Sequence, residues 1–289
     1  MKNNIRNTSL LLDQWIIDHS HYLTKDNLTS VLALSQLCGM TTGSFEKSTA
    51  HLKSLISGAN NLDFSSGTLI SGILSAIFVA EHGTEKQKTD AVGYLAILSD
   101  VNPDTLTINS AVLKAVFEEN TVNTLPVETH QIPLFEIDIS AMIGHTLTQT
   151  EILSMFGTRE IAADFIFRTK IEGMAIHAMR IYDLTMAMRC LRALKYIRHD
   201  KNLVFRIGAD YIFQQQCYDG SFGDFDTALS VIEDAAKNAE IRMAIKLDAA
   251  FQMMWTLFEI SDSTHNLMHD LQTRTLGILQ QNKNASYAE

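Results

Sequence analysis

Proline, glycine and cysteine are scarce in this chain of 289 residues, which has 3 Pro, 14 Gly and 3 Cys. So few obligatory turn formers exclude a many-stranded sandwich or barrel and suit long helices. The three cysteines, Cys38, Cys190 and Cys217, are odd in number and far apart. They offer neither a disulfide framework nor a CxxC metal pair, and buried, reduced thiols are the expectation. Charged residues make up only 19%, below the usual quarter or so of a globular chain. Positive charge is the scarcer sign, with 23 Lys and Arg against 33 Asp and Glu, a net charge of −10 and a pI near 5.4. Such a surface disfavours nucleic acid, whose phosphates need clustered Lys and Arg. Long apolar runs are missing too. The stretch from Leu69 to Ala80 falls short of the ~20 residues of a membrane span. The opening Met1-Lys2-Asn3-Asn4-Ile5-Arg6 leads into a segment containing Asp13 and Asp18, which is not a signal-peptide core. A cytoplasmic location is expected, with no membrane span.

Hydrophobic residues are plentiful, at 46%, and recur at helical spacing along most of the chain. The spacing predicts helices near 8–23, 27–38, 45–57, 67–82, 85–98, 107–119, 132–145, 149–156, 159–171, 172–198, 202–217, 226–260 and 264–282, with a break near Asn238. Thr84-Glu85-Lys86-Gln87 and Thr148-Gln149-Thr150-Glu151 both fit the capping-box pattern. The stretch Asn120 to Pro133, with Pro126 and Pro133, reads as the longest loop and as a subdomain joint. The expected fold is all-α, one domain over 1–289. Paired inner and outer helices could close an α/α toroid, and an irregular bundle or solenoid is the alternative.

One stretch carries a resemblance. Gln214-Gln215-Gln216-Cys217-Tyr218-Asp219-Gly220-Ser221-Phe222-Gly223-Asp224 resembles the QW motif of triterpene cyclases and related toroids. Gln215 or Gln216 stands for the motif glutamine and Phe222 for its tryptophan. Lys246 to Leu257 looks like the next inner helix of such a ring. Upstream, Arg180-Ile181-Tyr182-Asp183-Leu184-Thr185 is similar to a stretch in an uncharacterised bacterial toroid family found near biosynthetic genes. The chain departs from that family's pattern afterwards. Met186 stands where a His is expected, Cys190 where a Tyr is, and Ala193-Leu194 where Asp-Phe is. The resemblance covers about residues 165–260. It implies a terpene-cyclase-like helical pocket and a tailoring role in specialised metabolism.

The chemistry-bearing motifs are thin. Glu136-Ile137-Asp138 and Asp224-Phe225-Asp226 lack the tandem aspartates of an alkene-protonating DxDD element. Glu233-Asp234 with Glu240 lacks diphosphate-ionising spacing. No zinc triplet, Walker A or HExxH is present, so neither a metal nor a cofactor is expected. In Asp18-His19-Ser20-His21 the two imidazoles point to different helix faces. Along 172–198, a single helix would put Glu172, Ile176, Met179, Asp183, Met186, Cys190 and Ile197 on one stripe. Asp183 would then be a carboxyl inside an apolar face, with a raised pKa. It is the expected acid or base, with Glu172, His177 and Tyr182 as helpers. An Arg180–Asp183 surface pair is the competing reading. The function expected is metal-independent acid–base tailoring, by cyclisation, isomerisation or elimination, of an apolar or peptide-like small molecule. The alternative is a non-catalytic binding or scaffold module for a protein or peptide, with a homo-oligomer or a biosynthetic partner protein left open.

Overall fold

The computed structural model describes residues 2–20, 25–42, 46–57, 62–101, 107–118, 125–126, 139–225, 235–261 and 264–286. Of these, 78% are helical, so the all-α expectation holds. The chain begins with Lys2–Asp18 (α1), Lys25–Thr42 (α2), Glu46–Ser57 (α3), Leu69–His82 (α4), Glu85–Ser99 (α5) and Ile108–Phe117 (α6). It continues with Ile139–Leu153 (α7), Phe165–Arg180 (α8), Leu184–Tyr196 (α9), Leu203–Gln214 (α10), Ala235–Ser261 (α11) and Leu267–Ser286 (α12). Among the described residues the sheet is minimal: Leu125–Pro126 (β1) runs parallel to Ile161–Ala162 (β2). No described helix is long and apolar enough to cross a membrane.

A helix that is apolar all round has to be interior, and α4 is such a helix. Every residue from Ile70 to Val79 is buried. Thr68 starts it by accepting from the Ser71 N–H, and Gly83 caps its end. The neighbouring α2 buries Leu32, Leu34, Leu37 and Cys38 equally deeply. From these two helices the packing runs in a circuit. α2 lies against α4 and α11, α11 against α9, α9 against α7, α7 against α6, and α6 against α4 again. The remaining helices clothe that circuit: α1 and α3 on α2, α5 on α4, α8 and α10 on α9, and α12 on α4 to α6. α10 comes close to α9 because Gly208 faces Leu191, where an added Cβ would stand 2.3 Å from a Leu191 methyl.

Three local expectations are corrected. First, 172–198 is two helices. After Arg180 the chain leaves α8 through a Schellman closure, with Tyr182 N–H donating to Met179 O at 3.4 Å and Asp183 N–H to Ala178 O at 3.0 Å. Tyr182 takes the left-handed position of that closure, with φ 60°. Asp183 then caps α9 by accepting from the Met186 N–H at 2.9 Å. The apolar stripe expected around Asp183 therefore does not exist, since Met179 and Met186 belong to different helices. Second, Thr148 to Glu151 lies inside α7 and starts nothing. Thr150 Oγ1 donates to Thr146 O at 2.8 Å, and Leu147, Thr150 and Glu151 form one buried face. Third, α11 runs unbroken past Asn238; residues 226–234 lie outside the described ones. Thr84, in contrast, builds the full capping box with Gln87. Most of the joint expected at 120–133 also lies outside the described residues.

After α10 the stretch Gln216 to Asp224 forms a tight turn that buries an aromatic ring. α10 ends at Gln214, and Cys217 N–H donates to Ser221 O at 2.8 Å. Gly220 sits at φ 93°, and an added Cβ there would lie 2.2 Å from the Leu11 carbonyl oxygen of α1. Gln216 ties the turn to the same helix by donating to Thr8 O at 2.9 Å and to Gly220 O at 3.2 Å. Phe222 is wholly buried.

Candidate functional site

The α8–α9 reversal positions the side chains of the candidate site. Together with α11 it frames an open cleft of about 520 Å³. Tyr182, Asp183 and Thr185 come from the reversal, Asp248 from α11. Leu184, Phe225, Ala244, Ile245 and Ala249 make the remaining wall apolar. The left-handed backbone at Tyr182 swings its side chain across to residue 224, whose N–H donates to the Tyr182 hydroxyl at 3.0 Å. Beside it, burial and the neighbouring Tyr182 push the Tyr211 phenol up to about 12.

Asp248 is the carboxyl whose acidity the cleft alters. More than a third of its surface stays open, yet the crowding of the cleft walls raises its pKa by desolvation. Gln252 and Thr185 hydrogen-bond to it, and Arg192 attracts its charged form; these oppose the rise without cancelling it.

Behind the cleft, α9 and α11 are joined by a buried polar ladder. Gln252 Oε1 accepts from Arg192 at 2.7 Å, and Thr256 Oγ1 accepts from the same guanidinium at 2.8 Å. One turn further, Glu259 accepts from Trp255 Nε1 at 3.2 Å and pairs with Lys195 at 3.1 Å. On the far side of α9, Arg189 grips Glu151 of α7 with both arms, at 2.9 and 2.6 Å. Gln252, Thr256 and Glu259 are four and three residues apart along α11, so one helix face carries the ladder.

The structure separates the four residues expected to act together. Tyr182 and Asp183 line the cleft. Glu172 does not: its Oε1 accepts from Asn202 at 2.8 Å and lies 2.7 Å from His199 Nε2, so it pins the start of α10 to α8. His177 lies in the last turn of α8 and is not part of the cleft lining. The Arg180–Asp183 pair does not form among the described residues. Asp248, Thr185 and Gln252 escaped the sequence reading because nothing along the chain marks the approach of α11 to residue 183. The available signal was the spacing Asp248, Gln252, Thr256, Glu259, a polar stripe at helical period within an otherwise apolar segment.

Cys38 and Cys190 are buried as expected, whereas Cys217 is half-buried and donates its thiol to Gly223 O at 3.4 Å. Desolvation raises Cys190 to about 12 and lifts Cys38 well above the usual thiol range. Among the described residues no cluster of His, Cys, Asp and Glu is arranged to hold a metal. Set beside known protein families, characterised proteins and solved structures, the chain matches none.

Proposed function

We propose that the chain is an acid–base tailoring protein that takes an apolar-bodied small molecule or a peptide-like intermediate into the Tyr182–Asp248 cleft. The observation that supports this reading is Asp248, a carboxyl whose pKa burial raises, in a cleft with apolar walls that a second carboxyl, Asp183, also lines. Cyclisation, isomerisation and elimination each need a proton delivered at one atom and removed at another. Asp248 serves as the donor, Asp183 as the acceptor, and the Tyr182 hydroxyl orients a polar group of the ligand. The circuit of packed helices supports a ring-like arrangement related to the terpene-cyclase-like toroid, and the link to bacterial specialised metabolism rests on the resemblance of residues 165–260.

Producing the protein in a heterologous host beside its neighbouring genes, and comparing extracts, tests the reading. A product formed with the native chain should fall at least about a hundredfold with Asp248→Asn. It should also be lost with Asp183→Asn in protein that melts normally. Identical extracts from native and doubly substituted protein would remove the catalytic reading.

One observation favours a second reading, a binding or scaffold module. α8 and α10 expose several large apolar side chains in their first two turns: Phe165 at 81%, Ile166 at 70%, Leu203 at 69% and Ile207 at 52%. Exposed apolar side chains in such number are what a docking partner would cover.

A further inference from the structure

We infer that a second cleft, at the C-terminal end of α9, binds the phosphate group of a small organic phosphate. It has a volume of about 790 Å³ and shares no residue with the Tyr182–Asp248 cleft, so the inference does not rest on the acid–base reading. Its wall includes Lys195 and Tyr196 from α9, Arg198 from the turn that follows it and, around the start of α12, His265, Asn266 and His269. In a chain of net charge −10, none of the described residues lining this cleft is Asp or Glu. The cleft is thus a local reversal of the protein's overall sign.

Several donors around the cleft are already used within the fold. Asn266 Nδ2 donates to Phe156 O at 2.7 Å, and Gln272 Nε2 to Glu118 O at 2.6 Å. The first amides of α12 are also taken, Leu267 N–H by Glu259 at 3.0 Å and His269 N–H by Asn266 at 3.0 Å. Lys195 is compensated by Glu259 and shapes the wall. What remains is cationic or protonatable. Arg198 and His269 make no side-chain bond among the described residues. His265 uses Nδ1 toward Ser261 Oγ at 2.6 Å and stacks on Phe258, which leaves Nε2 for a ligand.

The backbone at Arg198 adds to this. Its φ is 56°, at the left-handed position of a Schellman closure made by Arg198 N–H to Lys195 O at 2.9 Å and His199 N–H to Leu194 O at 2.8 Å. Glycine fills that position without strain. An arginine there accepts strain, and Arg198 lines the cleft. A guanidinium fork with two imidazoles offers N–H groups from three points, which suits the three terminal oxygens of a phosphate better than the two of a carboxylate. The volume exceeds that of the bare ion and leaves room for an organic body.

Calorimetric titration of the full chain with pyrophosphate at physiological salt, beside tricarballylate as the carboxylate probe, tests the proposal. Saturable pyrophosphate binding is expected, weakened about tenfold or more by Arg198→Gln and by His269→Gln. Arg180→Gln, an exposed arginine outside the cleft, should bind as the native chain does. Melting curves establish that each variant is folded. Absence of saturable binding up to about 10 mM, native affinity in Arg198→Gln, or tricarballylate binding as tightly as pyrophosphate would each overturn it.

Discussion

The guanidinium of Arg192 lies 4.0 Å from the centre of the Trp255 ring and is fully buried. It faces the ring's electron-rich surface while donating to Thr256 and Gln252. Desolvation lowers its pKa, and Tyr196, Glu151 and Glu259 offset part of that cost by favouring the charged form. Arg192→Met keeps the length of the side chain but takes the guanidinium donor from Gln252 and Thr256. Urea unfolding should show a loss of about 3 kcal/mol. A loss under about 1 kcal/mol would mean that the cation is not part of the folded core.

Phe222 and Gly220 secure the exit of α10 against α1. Phe222→Ala empties a fully buried ring site and should cost about 3 kcal/mol or more in chemical unfolding. Gly220→Ala is the independent check. The new Cβ meets the Leu11 carbonyl in a left-handed turn, so a loss above about 1 kcal/mol is expected. A change under half a kcal/mol in both variants would show that this turn is not a packing lock.

The fold class was legible because helix periodicity survives any tertiary arrangement. α4 shows why: from Ile70 to Val79 almost any neighbour leaves the same apolar pattern, and Thr68 and Gly83 mark its ends in plain residue types. The candidate site was half legible. Tyr182 and Asp183 do line the cleft, but the helix stripe that pointed to Asp183 does not exist. The closures at Met155, Tyr182 and Arg198 use non-glycine residues at φ 45°, 60° and 56°, so the usual glycine stop signal is missing. Without it, 172–198 reads as one helix. Thr148 misled in the opposite direction, since its capping pattern is overridden by the burial of α7. Asp248 lies 65 residues beyond Asp183 and comes to line the same cleft only through packing of α11 on α9, which no local pattern encodes.

Those same closures make a prediction of opposite sign to most substitutions. Arg198→Gly removes the strain of a left-handed non-glycine residue, partly offset by the greater freedom of glycine in the unfolded chain. The net effect should be a gain of about half to one kcal/mol by thermal or chemical unfolding. A loss of stability would show that the Arg198 side chain is a structural contact.

Asp248 predicts a pH dependence. Its folded pKa is raised, so across the window from its ordinary value, near 4, up to the folded value the native state binds more proton than the unfolded state. Stability must then fall as pH rises through that window, the reverse of a salt-bridged aspartate. Asp248→Asn removes this contribution. The variant should be the more stable chain above the window, and its advantage should vanish below pH 4 or so. Carboxyl NMR should find Asp248 titrating above the usual range; a value at or below that range would sink the argument.

The Lys195–Glu259 pair offers the sharpest test of the ladder. Both side chains are buried, and Glu259 has no exposed surface. Lys195 donates to the Glu259 carboxylate and also to the Glu259 and His265 carbonyls. The other carboxylate oxygen takes Trp255 Nε1 at 3.2 Å and Leu267 N–H at 3.0 Å, so Glu259 also anchors the start of α12. Lys195→Met leaves that carboxylate buried without its counter-charge and should cost about 3–5 kcal/mol. Glu259→Gln keeps the shape and an acceptor for Trp255 and Leu267 but strands the ammonium. If the interaction is chiefly one of charge, the double variant Lys195→Met, Glu259→Gln should be more stable than the sum of the single losses implies, by about 2 kcal/mol. Strict additivity in the unfolding cycle would show instead that the two side chains act separately, Lys195 on the carbonyls and Glu259 on the α12 terminus.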